Sequence, residues 1–168
     1  MSCQVNPCST SLRSVRKDSS RNTLSNTEQR LWLAWKRAAD AVMSRVARDV
    51  SDATGLSGAD YGVLSCLVDV GRGTLRQQQL ADAMGWHKSR LSHHLSRMET
   101  RGLVLRQQGK HAQGNNVLVL ATAAGKRAQR AALPVHARSV RAHLLAPIPL
   151  SERSRLLALL DRLSKVET

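Results

Sequence analysis

The chain has 168 residues and a mass of 18.4 kDa, which fits one domain of ordinary size. It carries 26 lysines and arginines against 12 aspartates and glutamates, a net charge of +14. A hydrophobic share of 42% suffices for a core and excludes a wholly disordered chain. No run approaches the roughly 18 apolar residues of a membrane helix, so no membrane partner is expected.

The N-terminal cations are not followed by the apolar stretch of a secretory signal. Three cysteines, Cys3, Cys8 and Cys66, are too few and odd in number for a disulfide scaffold. A cytoplasmic, nucleoid-associated protein is the expectation. Aromatics are limited to Trp32, Trp35, Tyr61 and Trp86, which argues against a face built on base stacking. The net charge is +3 in residues 1–26, +1 in 27–56, +4 in 57–121 and +6 in 122–168. Arginine supplies most of it, so compositional bias is the bland explanation. Its spread over folded segments favours an extended polyanion as partner.

Residues 1–26 contain seven serines and no apolar period, and read as a flexible basic extension. From Thr27 to about Val50, Leu31, Trp35, Ala38, Val42, Val46 and Val50 recur at helical steps, with Asn26 or Thr27 as cap and Gly55 past the end. That wide stripe needs a partner surface, which a second copy of the chain can supply. Ser57 caps a second helix through about Val70, stopped by Gly71-Arg72-Gly73. Thr74, with Gln77 three residues on, caps a short third helix that ends at Gly85.

A fourth helix runs from about His87 to Arg101 with Leu91, Leu95 and Met98 inward. Two apolar runs, 103–107 and 117–120, flank a polar loop and predict a β-hairpin. Thr122 caps a long helix to about Leu145, with Pro134 expected to kink it or cost one hydrogen bond. Ser151 caps a last helix carrying Leu156, Leu157, Leu160 and Leu163. The fold class is mainly α with a small β-hairpin wing: a winged helix-turn-helix plus a helical dimerisation region. The expected division is an extension (1–26), a dimerisation helix (27–56), a DNA-binding winged helix-turn-helix (57–121) and C-terminal dimerisation helices (122–168).

Ala81, Gly85 and Leu91 each have a steric task in a helix-turn-helix: a close helix crossing, a turn at positive φ, and an anchor for the second helix. On the fourth helix, with Leu91 at zero, Ser89 falls near ~160°, His93 near ~200°, Arg97 near ~240° and Arg90 near ~260°. No acid interrupts His87 to Arg97. A cationic face with short polar side chains supplies phosphate attraction and base-edge donors; a solvated basic helix face is the plainer alternative.

These residues resemble the MarR-type winged-helix transcription regulators over about Leu31 to Leu163. The resemblance rests on LRQQQLADAMGWHKSRLSHHLSRMETRGLVLRQ, the wing, LATAAGKR and LSERSRLLALLDRL; the Trp-containing stretch looks like an actinobacterial branch. It implies a homodimer formed by the first and last two helices, with one recognition helix in each of two major grooves of a pseudo-palindromic double-stranded DNA site. It also implies a pocket where small phenolic or anionic effectors loosen DNA binding, and a role more often repressive.

The expected DNA-binding residues are Gln77, Gln78, Lys88, Ser89, Arg90, Ser92, His93, Arg97 and Lys110. Ser89, Ser92 and His93 match the family's base-facing positions, and Gln77 and Gln78 the start of the preceding helix. The wing departs from the family: Gln113, Gly114 and Asn115 stand where members commonly carry Asp-Arg-Arg, leaving Lys110 and His111 as nearby cations. Trp32, Trp35, Tyr61 and Arg45 are candidates to line the effector pocket.

A metal- or thiol-redox-responsive regulator of the same fold, or a non-specific nucleoid-type protein, are the alternatives. No metal-ligand spacing appears among the six histidines, and no cofactor is expected. No phosphate loop or nucleophile elbow suggests an enzyme.

Overall fold

The computed structural model describes residues 23–108 and 117–165. The chain divides into two compact units, residues 1–38 and 39–168, and helix α1 (Asn26–Thr54) runs through both. In the first unit Ser25 starts the helix. Its backbone N–H and hydroxyl each donate to Glu28 Oε2 at 2.7 Å, and the Glu28 N–H donates to Ser25 Oγ. The cap is therefore Ser25 rather than Asn26 or Thr27, with Glu28 completing the reciprocal box. Leu31, Trp32, Leu33 and Trp35 follow, all exposed.

In the second unit α1 buries Val46 and Val50 and outlasts the expected end by one turn. Helix α2 (Gly58–Ser65) starts on Ser57: its N–H donates to Asp60 Oδ2 at 3.0 Å, and the Asp60 N–H donates to Ser57 Oγ at 3.1 Å. A π-helical turn, Cys66–Val70, extends it. Thr74 is not a helix cap. Thr74–Arg76 forms strand β1, and helix α3 (Gln77–Met84) begins after Arg76, whose N–H donates to Gln79 Oε1 at 3.2 Å.

The expected hairpin is present as β2 (Val104–Gln108) and β3 (Val117–Ala121). The antiparallel sheet has the order β1-β3-β2, with Thr74 opposite Leu120, Val104 opposite Ala121 and Gln108 opposite Val117. The wing tip, with Lys110, His111 and Gln113 to Asn115, lies outside the described residues.

Helix α4 (Lys88–Thr100) lies between α3 and β2 in sequence. Helix α5 (Ala123–Val140) is capped as expected by Thr122, whose Oγ1 accepts from the Gly125 N–H at 2.9 Å and donates to the Gly102 carbonyl at 2.7 Å. It continues through Pro134 into a second π-helical turn, Arg141–Leu145. Helix α6 (Leu150–Ser164) follows Pro149, and Ser151 lies inside its first turn without capping it. Proline's fixed φ suits the entry to a helix.

Leu64, Leu67, Leu80, Leu91, Leu95, Met98, Val104 and Val119 form a solvent-free core shared by α2, α3, α4 and the sheet. Gly125 lies against it, where a Cβ would overlap the Leu103 carbonyl oxygen. Backbone, rather than a flexible side chain, is the obstacle. Gly125→Ala should therefore lower stability by about 2–3 kcal/mol, read as a drop in the urea midpoint at unchanged slope.

Candidate nucleic-acid interface

The turn between α3 and α4 closes on Gly85, at φ +61°. The Trp86 N–H donates to the Ala81 carbonyl at 2.9 Å, and the Gly85 N–H to that of Asp82 at 3.1 Å. Ala81 is buried and Leu91 inaccessible, so the two helices cross closely, as a helix-turn-helix requires. His87 starts α4: its Nδ1 accepts from the Ser89 N–H at 3.4 Å and lies 2.8 Å from Ser89 Oγ.

A cleft of about 800 Å³ opens between the starts of α3 and α4 and the base of the wing. Gln77, Gln78, His87, Lys88, Ser89, Ser92, Arg106, Gln107, Gln108 and Val117 line it, and none is acidic. Five of the expected contact residues thus meet there. The Gln77 side chain is buried, and Gln78 Nε2 donates to Asp82 Oδ1 at 2.9 Å. Lys88 and Ser89 stand exposed at the helix start.

The other expected residues do not line this cleft. Arg90, His93 and Arg97 are exposed elsewhere on α4. The Arg90 guanidinium lies 4.3 Å from the centre of the Trp86 ring, and Arg97 Nη2 donates to His94 Nδ1 at 3.1 Å. Lys110 lies outside the described residues.

Beneath α4 sits a buried polar group. Asp60 is 3% exposed; its Oδ2 accepts from Arg101 Nη1 at 2.6 Å, and its Oδ1 lies 3.1 Å from His94 Nε2. Arg97 can only donate, so Nδ1 of His94 accepts and the proton of the neutral ring sits on Nε2. That Nε2–H faces Asp60 in close contact without good hydrogen-bond alignment. Burial lowers the His94 pKa; Asp60 opposes this and Arg97 reinforces it, leaving it below the ordinary 6.5. Burial raises the Asp60 pKa, but hydrogen bonds from Arg101 and Ser57 outweigh it and hold the carboxyl below 3.8.

The wing base is tied to α4 by Arg106. Its N–H and Nε each donate to a Glu99 carboxylate oxygen at 3.0 Å, and its Nη2 donates to Glu99 Oε2 at 2.7 Å and to Ser96 Oγ at 3.0 Å.

Within the second unit a cavity of about 640 Å³ lies among α1, α2, the start of α4 and α5. Tyr61, Met84, Trp86, Arg90 and His136 are on its wall, which holds no acid; the Tyr61 and His136 rings are 4.7 Å apart. Of the residues considered for an effector pocket, Tyr61 lines the cavity and Arg45 does not. Sequence reasoning missed Trp86 and His136 in the cavity, His87, Arg106, Gln107 and Gln108 in the cleft, and the Asp60–His94 support. His94 had a signal: it falls three residues after Leu91, inside the apolar stripe.

Cys66 is half-buried, and burial together with Asp69 pushes its thiol pKa up. This makes it a poor thiolate. Cys3 and Cys8 lie outside the described residues. Among the described residues there is no cluster of three or more metal-ligating side chains, and no helix is long and apolar enough to cross a membrane.

Residues 56–110 match a domain of unknown function, DUF7343. No curated protein matches the sequence. Among solved structures, AbsC, a MarR family transcriptional regulator from Streptomyces coelicolor, is 28% identical. It covers 85% of this chain and 95% of its own at TM-score 0.76. Sco3205, a MarR family regulator from the same organism solved in complex with DNA, is 24% identical over 85% of this chain and 92% of its own, TM-score 0.77. BpsR of Bordetella bronchiseptica, whose DNA binding is regulated by 6-hydroxynicotinic acid, shares the fold at TM-score 0.71 and 19% identity, over 81% of this chain and 99% of its own. The chain has the winged-helix fold of these MarR family regulators.

Proposed function

We propose that the chain is a sequence-specific double-stranded DNA-binding regulator of transcription. It acts in the cytoplasm as a homodimer on a pseudo-palindromic site, as a repressor released by a small phenolic or anionic effector. The observation that carries this reading is the acid-free cleft beside the start of α4, where Lys88, Ser89 and Ser92 meet the wing base. Its cations, Lys88 and Arg106, and its short polar donors suit a duplex edge. The DNA complex of Sco3205 supports the same use of the fold.

Residues 27–56 and 122–168 supply the dimer interface in this proposal, and 57–121 the DNA-binding part. The exposed Leu31, Trp32 and Trp35 on α1 and the exposed Leu150, Leu157, Leu159 and Leu163 on α6 are apolar surface that a second copy would cover. Sedimentation equilibrium should return twice the chain mass; a monomer at micromolar concentration removes the two-fold reading.

The test of the function is capture of sheared genomic DNA followed by competition against random duplex as salt is raised. A specific regulator keeps a large ratio where non-specific attraction fades. A ratio that collapses to unity identifies a nucleoid-type binder instead. Within the retained motif, His93→Ala should change preference at one position of each half-site, by about 1–3 kcal/mol. An unchanged motif from a site selection removes His93 from base reading.

A further inference from the structure

Helix α5 and the π-helical turn that continues it carry five cations, Lys126, Arg127, Arg130, Arg138 and Arg141, and no acid. No acid stands anywhere between Glu99 and Glu152. Helix α1 has as many cations but interleaves them with Glu28, Asp40, Asp49 and Asp52, and α6 sets Glu152 and Asp161 among its arginines. A chain-wide preference for arginine therefore leaves α5 unexplained. Arg127, Arg130, Arg138 and Arg141 are exposed and fall within about 80° of one another around the axis, opposite the buried Gly125, Gln129, Ala132 and Ser139. Among the described residues none of the four pairs with a carboxylate. Asp49 and Asp52 share a hollow with Arg138, but Asp49 Oδ2 turns instead to Ser139 Oγ at 2.6 Å and His143 Nε2 at 3.0 Å. Like charges one turn apart repel, and exposed helices ordinarily relieve this with acids. Here the relief has to come from outside the helix.

We infer that the outward face of α5 is a second, sequence-indifferent surface for duplex DNA, separate from the cleft. The stripe runs about 20 Å along the axis, the length of about six base-pair steps. Arginine offers phosphate a planar, two-pronged donor. The residues between the arginines, among them Ala131, Pro134 and Ala142, include no ring on which an unpaired base could stack, so a double-stranded backbone suits the face better than a single strand. Leu133 is the one large apolar side chain exposed on α5, too little to anchor a folded protein partner. No residue of α5 lines the cleft beside α4, so the two surfaces can hold two duplexes at once. That last step rests on the DNA-binding function proposed above.

The test loads the full-length protein on its retained genomic fragment, washes, and adds a labelled random-sequence duplex. Wild type should hold the second duplex at about 0.05 M salt and release it by about 0.2 M. The triple variant Arg127→Gln, Arg130→Gln and Arg141→Gln should occupy the first fragment as wild type does and hold at least about tenfold less of the second. Lysine at the same three positions keeps the charge and should hold most of it. On random duplex alone, the glutamine variant should lower the salt slope by about 2–3.

The inference is overturned if wild type holds no second duplex, if the glutamine variant holds as much or keeps the wild-type slope, or if the lysine variant fails as well. Capture of labelled poly-glutamate in place of the duplex overturns it in favour of an acidic protein partner. Loss of the dimer by the glutamine variant in sedimentation overturns it by putting the arginines in the subunit seam. Failure of wild type to retain any genomic fragment sinks the regulator reading instead, and the salt slope on random duplex still decides the α5 surface.

Discussion

Replacing Asp60 by alanine should cost about 3 kcal/mol of stability. Three losses combine. The N-cap of α2 loses its reciprocal partner, Arg101 loses its carboxylate, and the buried Nε2–H of His94 faces nothing. The Arg101 side chain is half exposed and recovers water, which keeps the cost below that of breaking a fully buried pair. Asp60→Asn keeps the shape and part of the cap, and should lose about half as much. Chemical denaturation at pH 7 measures both.

Acid acts on the same group. The folded Asp60 carboxyl has a pKa below the ordinary 3.8, so its stabilisation is present above that pH and disappears as pH falls through it. His94 is depressed below the ordinary 6.5. The unfolded ring takes up a proton that the folded ring resists, so stability also falls as pH drops below about 6.5. Both contributions have the same sign: wild type should weaken steadily from pH 7 toward 5 and again below 4. His94→Gln should flatten the upper part of the curve. A wild-type profile flat between pH 7 and 5 would count against a buried neutral imidazole.

The second large effect concerns the cleft. Lys88→Glu places an acid in an opening that has none, and should weaken duplex binding at least about tenfold near 0.1 M salt, with the salt slope reduced by about one. The double reversal Arg90→Glu with Arg97→Glu should do the same from elsewhere on α4. Circular dichroism and melting of the variants separate lost contact from lost fold, since all three side chains are exposed. Duplex capture indifferent to both reversals would remove α4 from the interface.

Most of the fold could be read from the chain because its elements carry local signals: three-and-four apolar spacing in α1, α4 and α6, the Thr122 cap, and Gly85 at the turn. Strand β1 could not. Thr74–Arg76 is three residues long and becomes a strand only by pairing with β3, far downstream. The π-helical turns at Cys66–Val70 and Arg141–Leu145 likewise begin without a side-chain cap that would mark them. In the candidate site, helical geometry pointed to Ser89 and the family resemblance to Ser92, and both line the cleft. Arg90 was placed on the face of Ser89 by the same projection, but a long side chain goes where an aromatic surface draws it. Asp60 could not be singled out, since nothing local announces that His94 and Arg101 will be brought to it.

Under the proposed function, the grip of Arg106 on Glu99 and Ser96 bears on how a duplex is measured. Three donated bonds at one carboxylate fix β2 to the C-terminal half of α4. Ribbon and helix then behave like the jaws of a caliper set to one opening. A helical repeat or groove width that does not match must be deformed to fit, so sequences would be ranked by stiffness at bases no side chain reaches. Loosening the setting with Glu99→Gln should broaden the range of accepted sites before it weakens the best one.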